Sequence, residues 1–434
     1  LTTLNGKGAF NSKGSFDLRS QQENRMVDST KRPLNIICLA SYFKGNEFIR
    51  ECKRQNCRVT LITKERWRDE DWACESLDEF ITLPDNATPE IFLHTVSQLA
   101  RPRKLDHIVA LEEYDVTTAA MIREHLRLPG MGSTTARLFR DKLAMRVRAL
   151  EAGIRVPEFV HVLNYQDVGE YMERVSPPWM LKPRSDVSAV GIKKLEDSEQ
   201  VWRAIDALDA REVLHERSPY YLLERYVAGE VFHVDSLVAN GKVVFAGANR
   251  YGQPPMDVAH HGGIFISHTL KHGSKDEREL FKLNRKLIET LGLKRGVAHA
   301  EFIKSAADGQ FYFLEIASRV GGAYIAETLE AASGLNLWRE WAKIEIAGSD
   351  GAYKVKPERK EYGGVALSLA RQEYPDTSGY TDAEIFYRAR KAHHVCLVVR
   401  AAKHERVVEL LDDYARRFTE EFGAVVPPLE RTGE

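Results

Sequence analysis

The stretch GVAHAEFIKSAADGQFYFLEIASRVGG (Gly296–Gly322) decides the fold. Apolar residues run on both sides of Asp308-Gly309, a turn pair, so the spacing predicts two antiparallel strands. Glu301 and Glu315 each stand seven residues from Asp308. A turn centred there places them opposite one another, with Cβ atoms ~5 Å apart.

Taken alone, each glutamate reads as solvated or paired with a neighbouring lysine or arginine. The setting argues otherwise, because Phe302, Ile303, Phe311, Phe313, Leu314 and Ile316 surround the pair. Acidic groups planted in such strands need a counter-charge, and Mg2+ carried in with nucleotide phosphates is a natural one. Arg319 follows, and then Gly321 and Gly322. Glycines let backbone N–H groups approach an anion, while a guanidinium forks onto carboxylate or phosphate.

Upstream, Lys142 opens a helix directly after Asp141, and Lys182 ends the apolar strand WMLKP. Either is by itself an ordinary surface lysine; together they are mobile point charges suited to phosphate oxygens. A small, polar loop, RSDVSAVG, follows Lys182. In LLERYVAG, Glu224 ends another apolar strand, where a carboxylate can accept from an exocyclic amine.

The remainder reads as alternating strands and helices. LNIICLA (Leu34–Ala40), RVTLIT (Arg58–Thr63) and HIVALEE (His107–Glu113) are apolar runs separated by helical stretches, the pattern of an open parallel α/β sheet. LPGMG (Leu128–Gly132) breaks the periodicity, so 33–132 is expected to form a first domain. Asn240-Gly241 predicts a second hairpin. Later strands, YGGVALSL and HHVCLVV, and a helix, RVVELLDDYARRF, fall in an extension over 351–434. Residues 1–32 are polar and aperiodic and read as a disordered leader, in part vector-derived, with Met26 as the natural start.

Composition narrows the function. The 62 basic and 63 acidic side chains leave a net charge of -1, which gives no support to a nucleic-acid or anionic-membrane partner. No apolar run approaches the ~20 residues that cross a bilayer. The five cysteines lack C-x-x-C spacing, so neither zinc nor a disulfide framework is indicated, and a reducing cytoplasm fits.

The ordered set RDK, LKPRSDVSAVG, ERYVAGE and EIASRVGG, with the two glutamates, resembles the ATP-grasp superfamily from about Leu34 to Gly348. The ending EIASRVGG and the long extension look most like the L-amino-acid ligases, or dipeptide synthetases. The resemblance implies an α/β (α+β) ATP-grasp fold: an N-terminal open parallel domain, an ATP-grasp domain over 133–350 with a lid at about 155–225 and a mixed catalytic sheet, and the extension. It also implies ATP and Mg2+ as cofactors, with Mn2+ as a substitute. Small-molecule carboxylate and amine substrates and a homodimer are implied likewise.

Roles carry over residue by residue. Lys142 and Lys182 would contact phosphates, with Ser185 and Ser188 in the loop beside them. Glu224 would hold the adenine amine, and Tyr226 and the Val227 backbone would flank the ring. Glu301 and Glu315 would hold Mg2+, and Arg319, with Gly322, would meet the transferring phosphoryl group and the substrate carboxylate. His260 and His261, in VAHHGGIF, are placed where related ligases contact an amino acid. His299 shares a strand face with Glu301 and reads equally as a pocket wall or a packing residue.

Three positions depart from the pattern. Ala317 stands where many relatives carry a metal-binding asparagine. Val231 stands where a glutamate often binds ribose, leaving Glu230 or His233 to substitute. The phosphate loop is poor in glycine. The expected reaction activates a carboxylate as an acyl phosphate and passes it to an amine. A bicarbonate-activating enzyme and a non-catalytic ATP-binding protein are the alternatives.

Overall fold

A computed structural model describes residues 32–185, 191–209, 220–348, 353–356 and 358–424; of Asp209 and residues 259–261 it describes the backbone alone. The expected leader and Ser188 lie outside these residues.

Four parallel strands, β1 (Asn35–Ala40), β2 (Arg58–Lys64), β3 (Glu79–Leu83) and β4 (His107–Ala110), form the first sheet in the order β3-β2-β1-β4. β1 is buried along its whole length because helices cover both sheet faces, which is why it reads as an unbroken apolar run. β3 escapes sequence detection: it is an edge strand, EFITL, that buries only Leu83 fully. β4 stops at Ala110, and Glu113–Asp115 form a tight helical turn rather than the end of the strand.

A small antiparallel sheet follows: β5 (Phe159–Val162), β6 (Trp179–Pro183), β7 (Lys193–Leu195) and β8 (Tyr221–Arg225), ordered β5-β8-β6-β7. The helices Tyr165–Arg174 and Ser198–Asp209 pack on it around Tyr171, Trp179 and Leu223.

The third sheet has eight strands: β9 (Gly229–Ala239), β10 (Lys242–Tyr251), β11 (Phe265–Thr269), β12 (Gly296–Ser305), β13 (Phe311–Ala317), β14 (Tyr362–Leu369), β15 (Ile385–Arg388) and β16 (His394–Ala401). Their order is β13-β12-β9-β10-β11-β14-β16-β15. Every neighbouring pair is antiparallel, where a mixed sheet was expected. Asn240 and Gly241 both take positive φ, 51° and 75°, as a two-residue hairpin turn requires. The extension is not an appendage: β14 pairs with β11, so its strands continue the same sheet, and the helix His404–Glu421 seals their face. No described helix is long and apolar enough to cross a membrane.

Candidate active site

The acidic hairpin forms as expected, by an unexpected route. Lys304 pairs with Phe311 and Phe302 with Phe313, so the turn is offset from Asp308. A one-residue bulge between Glu301 and Phe302 then absorbs Leu314 and brings Glu301 opposite Glu315. Both glutamates line one cavity of about 440 Å³, which Lys142, Lys182, Glu224 and Arg319 also line.

The helix Lys142–Glu151 delivers two cations from one face. Asp141 caps it, accepting from the Leu143 and Ala144 amides at 3.0 and 3.4 Å, and Arg184 Nε donates to the same carboxylate at 2.9 Å. Lys142 and Arg146, one turn apart, then reach two different carboxylates. Lys142 Nζ lies 2.9 Å from Glu315 Oε2. Arg146 donates through Nε and a terminal nitrogen to Glu224 Oε2, at 3.1 and 2.8 Å. Burial works to raise the Glu315 carboxyl, but Lys142, backed by Lys182 and Arg146, outweighs it and holds the group at about 2.

Lys182, on β6, forms a close ion pair with Glu224 Oε1 across the strand pair with β8. Both Glu224 oxygens are therefore engaged, and the carboxylate is almost wholly buried. Burial opposes its ionisation, while Arg146 and Lys182 together keep its pKa below the ordinary value. The geometry makes Glu224 the anchor of Lys182; an amine on a ligand would have to share an occupied acceptor. Tyr226 and Val227 line the cavity, with the Lys194 ammonium 4.6 Å from the Tyr226 ring centre.

Arg319 is held by a group that the sequence did not single out. Its Nε donates to Glu113 Oε2 at 3.1 Å, and Arg140 reaches Glu113 Oε1 at 2.6 Å. Beside them Lys44 sits 2.6 Å from Glu112. These carboxylates follow β4, beyond the carboxyl end of a parallel strand, where open α/β sheets place ligands. The signal available in the sequence was LEE closing an apolar strand run.

The two residues expected to substitute at the ribose lie away from the cavity lining. Glu230 points to solvent and pairs with Arg250 at 2.8 Å, because β9 alternates and it is Gly229 and Val231 that face the cavity. His233 is fully buried and bound at both ring nitrogens, to Asp235 at 2.6 Å and Ser267 at 2.7 Å, so neither residue lines the cavity. His260 and His261 end a short helix, Pro255–His261, where a loop was expected, and their side chains lie outside the description. Residues Pro254 to Val258 of the same segment line the cavity. His299 does line it, with Nε2 3.4 Å from Glu301 Oε1. Gly322 lines it too, but a Cβ there would meet open space. The glycine that space demands is Gly321, whose Cβ would fall 2.8 Å from Asp235 Oδ1 and 3.1 Å from His299 Nδ1.

A parallel N-terminal sheet, a small antiparallel sheet and a large antiparallel one, converging on a cavity of paired carboxylates and lysines, define an ATP-grasp architecture. Residues 175–327 match the model of the ATP-grasp domain, and residues 52–130 match that of the ATP-grasp N-terminal domain. The chain belongs to the ATP-grasp superfamily of ligases.

Among individual proteins, it is 23% identical over 359 residues to an L-arginine-specific L-amino acid ligase of Bacillus subtilis, spanning 79% of this chain and 84% of that one. It is 25% identical over 218 residues to a D-alanine–D-alanine ligase of Chlorobaculum tepidum, spanning 48% of this chain and 58% of that one. The crystal structure of L-amino acid ligase from Bacillus licheniformis superposes with a TM-score of 0.68 at 18% identity, over 90% of this chain and 98% of that chain. The biotin carboxylase domain of Hydrogenobacter thermophilus 2-oxoglutarate carboxylase, solved with MgADP and bicarbonate, gives 0.67 at 16% identity, over 89% of this chain and 90% of that chain. These superpositions share the fold.

Proposed function

We propose that the protein is an ATP-dependent carboxylate–amine ligase acting on an amino acid, with release of ADP and phosphate. The observation that carries this reading is the convergence on one cavity of a registered pair of carboxylates, two lysines and an arginine from separate segments. The similarity to L-amino acid ligases, which extends through most of both chains, supports the substrate class.

The donor set suits Mg2+, a hard cation that takes carboxylate oxygens and keeps water. Glu301 and Glu315 would hold it; Ala317 supplies no donor, leaving phosphate and water to complete the shell. Bound there, Mg2+ would neutralise charge developing on the phosphate oxygens. The chain's own groups do the rest. Lys142 and Lys182 enter as fixed positive charges, each already oriented by a carboxylate, so little reorganisation is needed when phosphate arrives. Met180, Val227, Val231 and Leu314 form an apolar wall suited to a flat ring. Arg319, oriented by Glu113, would meet the substrate carboxylate as its oxygen attacks the terminal phosphoryl group; ADP leaves, and an amine then displaces phosphate from the acyl phosphate. Movement of the small sheet over the cavity would keep water from that intermediate.

The test is ADP release in the presence of Mg2+ with a mixed pool of amino acids, with bicarbonate, and with neither. Stimulation by amino acids is expected. Stimulation by bicarbonate alone would instead assign a carboxylase-type activity, and nucleotide binding with no turnover in any arm would assign a regulatory protein.

A further inference from the structure

Beneath the cavity lies a buried chain of polar side chains that spans four strands on one sheet face. His299 and Glu301 are two apart on β12, and His233 and Asp235 are two apart on β9, so each pair shares a face. The strand register sets His299 opposite Asp235 and Glu301 opposite His233. Tyr251, on β10, stands opposite Ser267, on β11.

The bonding order follows from what each group can do. Asp235 is an acceptor only, so both histidines present N–H groups to it: His233 Nδ1 to Oδ2 at 2.6 Å and His299 Nδ1 to Oδ1 at 2.9 Å. His233 Nε2 then accepts from the Ser267 hydroxyl at 2.7 Å. At the other end, His299 Nε2 lies 3.4 Å from Glu301 Oε1, and the Tyr251 hydroxyl donates to that same oxygen at 2.8 Å.

His233, Asp235 and His299 have the composition of a metal site. Their spacing contradicts it. A tetrahedral metal with bonds of ~2.1 Å holds its ligand atoms roughly 3.4 Å apart, whereas the two histidine–carboxylate distances here are 2.6 and 2.9 Å. Gly321 closes over Asp235 and His299 so tightly that a single carbon would clash. The group is a hydrogen-bonded strut.

We propose that Asp235, acting through His299, is a positioning residue for Glu301. It sets the His299 ring so that an N–H at Nε2, together with the Tyr251 hydroxyl, donates to and fixes Oε1 and leaves Oε2 as the oxygen offered to the cavity. Asp235 touches no ligand itself. The inference rests on the assignment of Glu301 as a Mg2+ ligand.

The test measures binding of Mn2+ with ADP by electron paramagnetic resonance, ADP binding without metal, and the melting temperature. It compares the native protein with Asp235→Asn, Tyr251→Phe and Glu301→Gln. Glu301→Gln should abolish tight Mn2+ binding. Asp235→Asn should weaken it by ~10- to 100-fold, the range for a lost outer-shell partner, and Tyr251→Phe by several-fold, with metal-free ADP affinity unchanged in both. If Asp235→Asn does not fold, His299→Gln, which breaks the link between Asp235 and Glu301, decides in its place, with the same loss of Mn2+ affinity expected. Native Mn2+ affinity in the Asp235 and Tyr251 variants, with loss in Glu301→Gln, overturns the positioning role and leaves the Glu301 assignment standing. Native affinity in Glu301→Gln overturns both. A metal retained without nucleotide, and lost in Asp235→Asn, would show a metal centre in place of the strut.

Discussion

Arg319 and Glu113, 206 residues apart, form an ion pair at 3.1 Å that ties the loop after β13 to the helical turn following β4. Burial would depress the Arg319 pKa, but Glu113 and Glu112 more than offset it, so the guanidinium is held charged in a desolvated wall. Glu113→Gln keeps the shape and removes the charge that two arginines share. We expect kcat to fall on the order of 10-fold or more, as for loss of preorganised charge, with KM for ATP nearly unchanged. Steady-state kinetics checks this; a rise in KM for ATP with kcat intact would contradict it.

The two glycines after Arg319 should respond differently. Gly321→Ala drives a carbon into Asp235 and His299, so thermal stability and activity should both drop, the former by ~1–3 kcal/mol as in overpacked cores. A methyl at Gly322 meets nothing within 4 Å, and Gly322→Ala should melt like the native protein. Equal melting temperatures for both variants would argue against the close packing at Gly321.

Glu224→Gln separates an anchoring role from a ligand contact. It leaves Arg146 and Lys182 without their counter-charge in a buried setting, which costs about 3–5 kcal/mol. Chemical denaturation should show this loss without any nucleotide present. A variant of native stability with only a weakened ATP affinity would return Glu224 to the adenine contact expected from sequence.

His268 is buried, and desolvation, aided by Arg250, His404 and His233, lowers its pKa to about 4, even though its Nδ1 bonds the Thr269 carbonyl at 3.1 Å. The unfolded chain takes up this proton near pH 6.5, the folded chain only near 4. Between those values the unfolded state binds more protons, so stability rises with pH and is lost as pH falls, by up to about 3 kcal/mol. His268→Gln should flatten the difference in stability between pH 7 and pH 4. An identical slope in variant and native protein would show that other groups set it.

What was legible in the sequence was local. Glu301 and Glu315 could be paired from one hairpin, and Lys142 set at the start of a helix directly after Asp141, because each needs only a few neighbouring residues. Facing and long-range partnership could not be read. Glu230 and His233 fail because alternation along β9 is fixed by its neighbours, β10 and β12, and not by its own residues. The Arg146–Glu224 pair spans 78 residues and Asp235–His299 spans 64, so neither leaves a periodic trace. Even the Glu301–Glu315 register, expected from symmetry about Asp308, arises from an offset turn corrected by a bulge at Leu314. β3 was missed because a half-exposed edge strand carries little apolar signal.

The proposed first step is attack of a substrate carboxylate on ATP to form an acyl phosphate. It is tested most directly by incubating the protein with ATP, Mg2+ and a pool of amino acids labelled with oxygen-18 in their carboxyl groups, and analysing the released phosphate by mass spectrometry. One labelled oxygen is expected in each phosphate released by amino-acid-dependent turnover, because the oxygen that attacks the phosphoryl group leaves with it. Unlabelled phosphate, or ADP release at the same rate without amino acids, would contradict it.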